Sequence, residues 1–182
     1  MRVYNFHCRR IGASADAVGA ILGTLGAEND RLWPWEHFDA MKFAGTLAVG
    51  AKGGHGPVRY EVTEIIPARL IAFEFNAEKG VMKQFRGRHW FEVVPLSEST
   101  CEIRHLLWAD VQGAMWWLWW ILVETLHDAT VEAALAKAEL EVTGALKTPF
   151  KFTPRQKLWK LVSGERGAYD KSRRRAAWLA AS

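Results

Sequence analysis

The chain has 182 residues, 49% of them hydrophobic, which suits one soluble domain with a substantial core. Its longest apolar run, Ala114 to Val123, is too short to span a bilayer, and its N-terminal residues have no apolar stretch typical of a signal peptide, so we expect a cytoplasmic protein. Residues 147–182 carry ten Lys or Arg and two acidic residues, a net charge of +8, whereas residues 1–146 carry a net charge of −4. This division predicts a mildly acidic domain over residues 1–146 and a basic amphipathic tail over residues 147–182.

The first third of the chain mixes strand, helix and turn patterns. Val3 to Ile11 is predicted to be a strand, and Ser14 is a suitable N-cap for a short helix that carries Val18, Ile21, Leu22 and Leu25. A second strand is predicted from Met41 to Val49. The glycine-rich segment from Gly53 to Pro57 then predicts a hairpin turn.

Alternation of charged and apolar residues is clearest between Arg59 and Leu107. Period-two alternation places each set on one face of a sheet, and short polar turns between the segments favour an antiparallel meander. The outer face carries opposite charges that can pair across strands. The inner face is aromatic and aliphatic and includes His89 and His105.

A helix of roughly 30 residues is predicted to begin near Ala114. At 100° per residue, one stripe of this helix carries Trp119, Leu122, Leu126, Ala129, Ala133, Ala136 and Leu140, and the opposite face carries Glu124, Asp128, Glu132 and Glu139. The alanines indicate either close packing of helix on sheet or a cavity beneath the helix. The pair Glu124 and His127 is interpreted as part of a solvated face, because a di-iron site would need a second Glu-x-x-His motif.

The order of these elements resembles that of the START-like (SRPBCC) superfamily, which includes polyketide cyclases, dehydrases and lipid- and hormone-binding proteins. The stretches that carry the resemblance are IGASADAVGAILGTL with the following LWPW, then GPVRYEVTEIIPARLIAFEF, and GRHWFEVVPLSESTCEIRHLLW, within residues 2–143. The resemblance implies an α+β helix-grip fold, in which a curved antiparallel sheet wraps around a long C-terminal helix. It implies no particular catalytic residues, and WWLWW at residues 116–120 and the basic tail depart from the family pattern.

Inward-facing residues of the sheet and the long helix are the candidate site. We expect a hydrophobic or aromatic, lipid-like small molecule to bind there, without cofactor or metal, because Cys8, Cys101 and the histidines form no metal-binding sequence motif. His89 and His105 are either hydrogen-bonded core residues, polar groups of a ligand pocket, or the acid and base of a cyclase- or dehydrase-type enzyme. The predicted ligand-binding residues are Tyr60, Phe73, Phe75, Phe85, His89, Phe91, His105, Leu107, Trp119, Leu122, Leu126 and Ala129.

Apolar residues on the charged helix face and the tail indicate a possible docking surface. Trp117 and Ile121 would be exposed, which suggests a second subunit, the tail or an anionic membrane as their partner. Thr153 to Gln156 form a capping box that begins a basic amphipathic segment. Nucleic acid is not expected, since no reader motif accompanies the arginines. The predicted docking residues are Trp117, Ile121, Lys157, Trp159, Lys160, Arg173, Arg174 and Arg175.

Overall fold

A computed structural model describes residues 1–78 and 81–163 of the chain. The strands in this part of the chain are β1 (Arg2–Ile11), β2 (Lys42–Phe43), β3 (Lys52–His55), β4 (Val58–Ile66), β5 (Leu70–Phe75), β6 (Phe85–Ser97) and β7 (Thr100–Val111). They form one antiparallel sheet in the order β1-β7-β6-β5-β4-β3-β2. Strands β2 to β7 are therefore a meander, and β1 pairs along the whole of β7, from Arg2 opposite Asp110 to Ile11 opposite Cys101.

The described helices are α1 (Ala15–Leu22), α2 (Met115–Leu118), α3 (Glu124–Thr143) and α4 (Pro154–Ser163), with a 3₁₀ turn at Val81–Gln84. A π-helical turn (Trp119–Val123) joins α2 to α3 without a break, so one long helix runs from Met115 to Thr143. Gly144 ends it in the left-handed conformation and donates its N–H to Leu140 O. The predicted helix-grip α+β fold is thereby confirmed. None of the helices in the described ranges is long and apolar enough to cross a membrane.

The alternation read from the sequence matches the two faces of the sheet. The inward residues Tyr60, Phe73, Phe91, Ile103 and Leu107 are all buried. On the other face, Arg104 lies opposite Glu92 and is 3.4 Å from it. Burial of one face and charge pairing on the other both follow from the period of two.

The predicted strand from Met41 to Val49 is mostly wrong. Only Lys42–Phe43 is a strand, because Gly45 and Gly50 adopt positive φ angles of 87° and 85° that turn the chain between them. Gly53 to His55 belong to β3 rather than to the hairpin turn, which is confined to Gly56 and Pro57. A side chain at Gly53 would lie 2.3 Å from Lys42 O, so glycine allows this edge pairing.

Gly19, which weakens α1 as a helix, is required by the packing of α1. A Cβ atom at this position would lie 2.0 Å from Ala68 O, in the turn between β4 and β5. The short helix can therefore approach the sheet closely only where the side chain is absent.

The predicted division of the long helix into an inward apolar stripe and an outward charged face is partly wrong. Leu140 is exposed, whereas Glu139 is fully buried against Arg9. Ala129 and Ala133 pack with Phe38, and with Phe150 and Phe152 of the tail. The alanine stripe therefore allows close packing of a loop and the tail on the helix, and it does not face the sheet.

The described part of the tail packs on the rest of the protein. Helix α4 lies against α3, and Arg9 donates a hydrogen bond from Nη1 to Thr148 O at 3.2 Å. Arg155 donates from Nη2 to Trp120 O at 3.1 Å, in the π-helical turn. Lys160 Nζ lies 5.1 Å from the ring centres of both Phe38 and Phe152.

Candidate functional site

A cavity of about 190 Å³ lies between the sheet and the long helix. Ten of the twelve predicted ligand-binding residues line it: Tyr60, Phe75, Phe85, His89, Phe91, His105, Leu107, Trp119, Leu122 and Leu126. Phe73 and Ala129 do not. Phe73 is fully buried in the neighbouring core, where its ring stacks on His89 at 4.9 Å, and Ala129 faces Phe38 on another side of the helix.

Aromatic rings form much of the cavity wall. Trp119 stacks on Phe85 with ring centres 5.4 Å apart, and Phe85 meets Phe75 edge to face at 4.6 Å. Trp119, Leu122 and Val123 all come from the π-helical turn. A π turn inserts an extra residue per turn, which rotates the following helix relative to an uninterrupted α-helix. This turn therefore helps to decide which residues of α3 face the cavity.

Several cavity residues were missed by the sequence interpretation. His127, Thr130, Val131 and Ala134 of α3 line the cavity, although His127 was assigned to a solvated face. His55, Trp33 and Ser163 contribute from a strand end, a loop and the end of α4. Only Trp33 could have been suspected from the sequence as a cavity residue, because it lies in the aromatic LWPW segment. The positions of the α3 residues depend on the rotation of that helix, that of Ser163 depends on the path of the tail, and that of His55 depends on where β3 ends.

His89 and His105 form a hydrogen-bonded pair in the wall of the cavity. His89 Nδ1 and His105 Nε2 lie 3.2 Å apart on neighbouring strands. Burial, followed by the nearby imidazoles, holds the pKa of both histidines well below the usual value of 6.5. Both are therefore neutral at pH 7. Among the described residues, His89 Nε2 and His105 Nδ1 have no hydrogen-bond partner.

This pairing restricts the protonation of the two outer nitrogens. Each neutral imidazole carries one N–H, and one of the two N–H groups is used in the bond between the rings. If His89 donates that bond, His89 Nε2 is an acceptor and His105 Nδ1 is a donor, and if His105 donates it, the roles are reversed. The pair therefore always offers one acceptor and one donor.

His55 lies at one end of the cavity, where a surface groove begins. Its ring packs 4.6 Å from Trp33 and 5.9 Å from Tyr60, and burial lowers its pKa to about 3. The groove, of about 840 Å³, shares His55 and Pro57 with the cavity and is otherwise lined by residues that include Lys42, Lys52 and Arg59.

A polar seam joins β1 to α3 beside the cavity. His7 contacts Glu132 Oε1 through Nδ1 at 2.6 Å and Asp128 Oδ1 through Nε2 at 3.1 Å, and Asn5 donates to Asp128 Oδ1 at 2.8 Å. Burial disfavours the charged form of His7, but the hydrogen bonds to Asp128 and Glu132 outweigh it and raise its pKa to about 9. Arg9 continues the seam with a 2.7 Å bond to Glu139. The face of α3 that was predicted to be exposed to solvent therefore contacts the edge strand β1.

The predicted docking residues are only partly brought together. Trp117 and Ile121 are 62% and 49% exposed, as the helix pattern indicates. Lys157 is exposed, Trp159 is half-buried, and Lys160 is directed at Phe38 and Phe152. Arg173, Arg174 and Arg175 lie outside the described residues.

Comparison with known proteins finds likeness to solved structures. No protein-family model matches the chain, and no curated protein does. A norcoclaurine synthase from Thalictrum flavum, solved in complex with dopamine and hydroxybenzaldehyde, is 18% identical, with a TM-score of 0.59 over 82% of this chain and 90% of that chain.

Two bacterial structures are similarly related. The Zhui aromatase/cyclase from Streptomyces sp. R1128 is 14% identical, with a TM-score of 0.56 over 78% of this chain and 96% of that chain. A protein from Nitrosospira multiformis is 13% identical, with a TM-score of 0.58 over 79% of this chain and 97% of that chain. At such identities the likeness is one of fold, and the helix-grip fold that the resemblance inferred from the sequence implies is confirmed.

Proposed function

We propose that this protein binds a small, uncharged aromatic molecule in the cavity between its sheet and its long helix. The observation that carries this proposal is the neutral His89–His105 pair in a wall that otherwise consists largely of aromatic and aliphatic side chains. Ligand sites typically combine such apolar walls with a few polar groups that orient the ligand.

The volume of the cavity limits the size of the ligand. An apolar cavity of about 150 Å³ accommodates benzene, and sites for drug-sized molecules range from about 300 to 1,000 Å³. At about 190 Å³ the cavity suits a single substituted ring. The lipid-like ligand expected from the sequence is larger than this space, so the proposal is narrowed to a small ring compound. The norcoclaurine synthase complex with dopamine and hydroxybenzaldehyde offers an analogy for ligands of this size.

The histidine pair favours an uncharged ligand. A carboxylate would need donors and an ammonium group would need acceptors, whereas the pair offers one of each and carries no charge at pH 7. Burying an unpaired charge in an apolar cavity costs far more than a neutral hydrogen bond returns. A phenolic hydroxyl both donates and accepts, and it therefore matches the pair.

Calorimetric titration with p-cresol, toluene and benzoate tests this function. We expect p-cresol to bind more tightly than toluene, and benzoate to bind least. Ala134→Leu, which places a larger side chain in the cavity wall, should weaken p-cresol binding about tenfold or more, because the cavity is little larger than the ligand. Ala129→Leu on the same helix faces Phe38 and should change stability without changing affinity. The proposed function is wrong if none of the three compounds binds, or if both variants reduce binding equally.

A cyclase- or dehydrase-type enzyme is the second candidate. The hydrogen-bonded pair could accept a proton at one outer nitrogen and release one at the other, which is the requirement for acid–base catalysis. Loss of such catalysis costs about 10²–10⁴ in rate, whereas loss of one orienting hydrogen bond changes affinity about tenfold. Mass spectrometry of an organic extract from the purified protein would supply candidate substrates. A product formed by the wild type but lost in His89→Gln or His105→Gln would favour the enzyme over the carrier.

Docking on an anionic membrane surface is a third candidate for a cytoplasmic protein. Exposed Trp117 and Ile121 beside the basic tail motivate it. Liposome binding should then require anionic lipid and should fall as salt is added. Equal binding by the intact chain and by a variant with Trp117→Gln and Ile121→Gln would exclude this role for the exposed residues.

A further inference from the structure

We propose that His7, His127 and Asp128 bind a divalent first-row transition-metal ion such as Zn²⁺ in the seam between β1 and α3. One ligand atom from each residue lies within 4.8 Å of the others. His127 also lines the cavity, so the metal site would adjoin the proposed ligand site without being part of it. This inference is independent of the proposed function.

Distances within the cluster are close to those of a tetrahedral site. Zinc binds histidine nitrogen and carboxylate oxygen at about 2.0–2.2 Å, which places neighbouring ligand atoms about 3.4 Å apart. His7 Nε2 lies 3.1 Å from Asp128 Oδ1, and His127 Nδ1 lies 4.0 Å from the same oxygen. Side-chain movements of about 1 Å would therefore bring the three atoms into tetrahedral spacing.

Neighbouring side chains already hold the ligands in place. Glu132 Oε1 accepts a hydrogen bond from His7 Nδ1 at 2.6 Å, which would direct Nε2 of that ring toward the metal. Asn5 donates to Asp128 Oδ1 at 2.8 Å. A carboxylate that accepts a hydrogen bond from the other ring nitrogen of a metal-binding histidine is common, and it fixes the tautomer and orientation of the ring.

His127 distinguishes a metal site from a simple ion-pair network. A protonated His7 between two carboxylates would hold β1 to α3 without any contribution from His127. Yet His127 Nδ1 is buried, and its contact with Asp128 Oδ1, at 4.0 Å, is longer than a hydrogen bond. Buried polar atoms are usually paired, and a metal ion would use this one as a ligand.

The donor set selects the class of ion. Two imidazoles and one carboxylate favour Zn²⁺, Co²⁺, Ni²⁺ or Cu²⁺ over Mg²⁺ and Ca²⁺, which prefer oxygen ligands. Three protein ligands leave a fourth position for water or another small molecule. The side chains of Asp128 and Glu132 are 36% and 40% exposed, so an ion can reach the cluster from solvent.

Metal titration of the chelator-treated full-length protein tests this site. Calorimetry should give one Zn²⁺ per chain and no comparable binding of Mg²⁺, and Co²⁺ should develop the strong visible absorption of a tetrahedral site with nitrogen ligands. His7→Gln and His127→Gln should each weaken Zn²⁺ binding about 100-fold or more, and Glu132→Gln about 10–100-fold. His37→Gln, which changes an exposed histidine, should have no effect.

Three results would contradict the site. The first is that the wild type does not bind Zn²⁺, and the second is that His37→Gln and His127→Gln lose equal Zn²⁺ affinity. The third is that the protein binds Mg²⁺ and Zn²⁺ with equal affinity. Circular dichroism of each metal-free variant checks that it is folded. If His7→Gln does not fold, the effect of Glu132→Gln and the Co²⁺ spectrum of the wild type decide the question, because an ion-pair network alone gives no such spectrum.

Discussion

At the scale of single residues, the buried Arg9–Glu139 ion pair is the contact in which each charge most clearly depends on the other. The side chain of Glu139 is 2% exposed and that of Arg9 is 14% exposed, and they are 2.7 Å apart. A buried ion pair adds little to stability compared with an apolar pair of similar volume, but removal of one partner leaves a charge buried without compensation. The seam therefore sets the position of α3 on β1 through paired charges.

We predict that Arg9→Met lowers the free energy of unfolding by about 3–5 kcal/mol. The double variant Arg9→Met with Glu139→Leu should recover most of this loss, since no unpaired charge remains. Urea denaturation of the single and double variants measures both effects. Lys52→Met, which breaks a 4.0 Å surface pair with Glu61, is the control and should change stability by less than about 1 kcal/mol. A double variant no more stable than Arg9→Met would contradict this account.

At the scale of elements, the tail and the long helix depend on each other. Arg155 donates to the carbonyl of Trp120 in the π-helical turn, and Phe150 and Phe152 cover Ala129 and Ala133 of α3. Ser163, at the end of α4, reaches the cavity wall. The division of the chain at residue 146 predicts that the domain remains folded without residues 147–182. That remains a prediction. Because truncation removes these contacts, we expect it to lower the free energy of unfolding of the domain.

We predict that Phe152→Ala lowers the free energy of unfolding by about 1–2 kcal/mol, less than the cost of truncating a fully buried phenylalanine because Phe152 is half-buried. Leu161→Ala is a matched control in the same tail, where the side chain is exposed, and its effect should be within about 0.5 kcal/mol. Chemical denaturation compares the two. Equal effects would mean that Phe152 is not held against Phe38 in solution.

At the scale of the whole molecule, the histidines make stability depend on pH in two opposite ways. His89 and His105 have lowered pKa values in the folded state, so below about pH 6.5 the unfolded chain takes up protons that the folded chain does not. His7 has a pKa raised to about 9, so its stabilising contribution is complete below about pH 6.5 and is lost as the pH rises through about 9. Stability should therefore be greatest near pH 6.5.

We predict that the free energy of unfolding falls on both sides of this maximum by about 1.4 kcal/mol per pH unit for each histidine involved. His105→Gln should reduce the slope on the acid side, and His7→Gln should flatten the decrease between pH 6.5 and 9. Urea denaturation from pH 4.5 to 10, with a chelator present throughout, measures both slopes. A profile unchanged by His7→Gln would show that its carboxylate contacts do not form in solution.

The two faces of the sheet could be predicted from the sequence because strand alternation is a local property. Tyr60, Phe91 and Leu107 point inward in any sheet that buries the apolar face. This local rule accounts for the cavity residues that lie on strands, whereas the helix-grip fold class was implied by the resemblance to the START-like superfamily. The strand predicted from Met41 to Val49 was wrong because Gly45 and Gly50 turn the chain at an edge where few contacts enforce extension.

The sequence by itself determined strand β1, the two faces of β4 to β7, the existence of the long helix, and the presence of aromatic residues and histidines on the inner face. Only the tertiary structure decided which side of α3 faces the cavity, and with it the positions of His127 and Ala134. The physical reason is that α3 is covered on several sides: by the sheet, by the polar seam to β1, and by Phe38 with the tail. A helix buried in this way has no single apolar face that periodicity could identify.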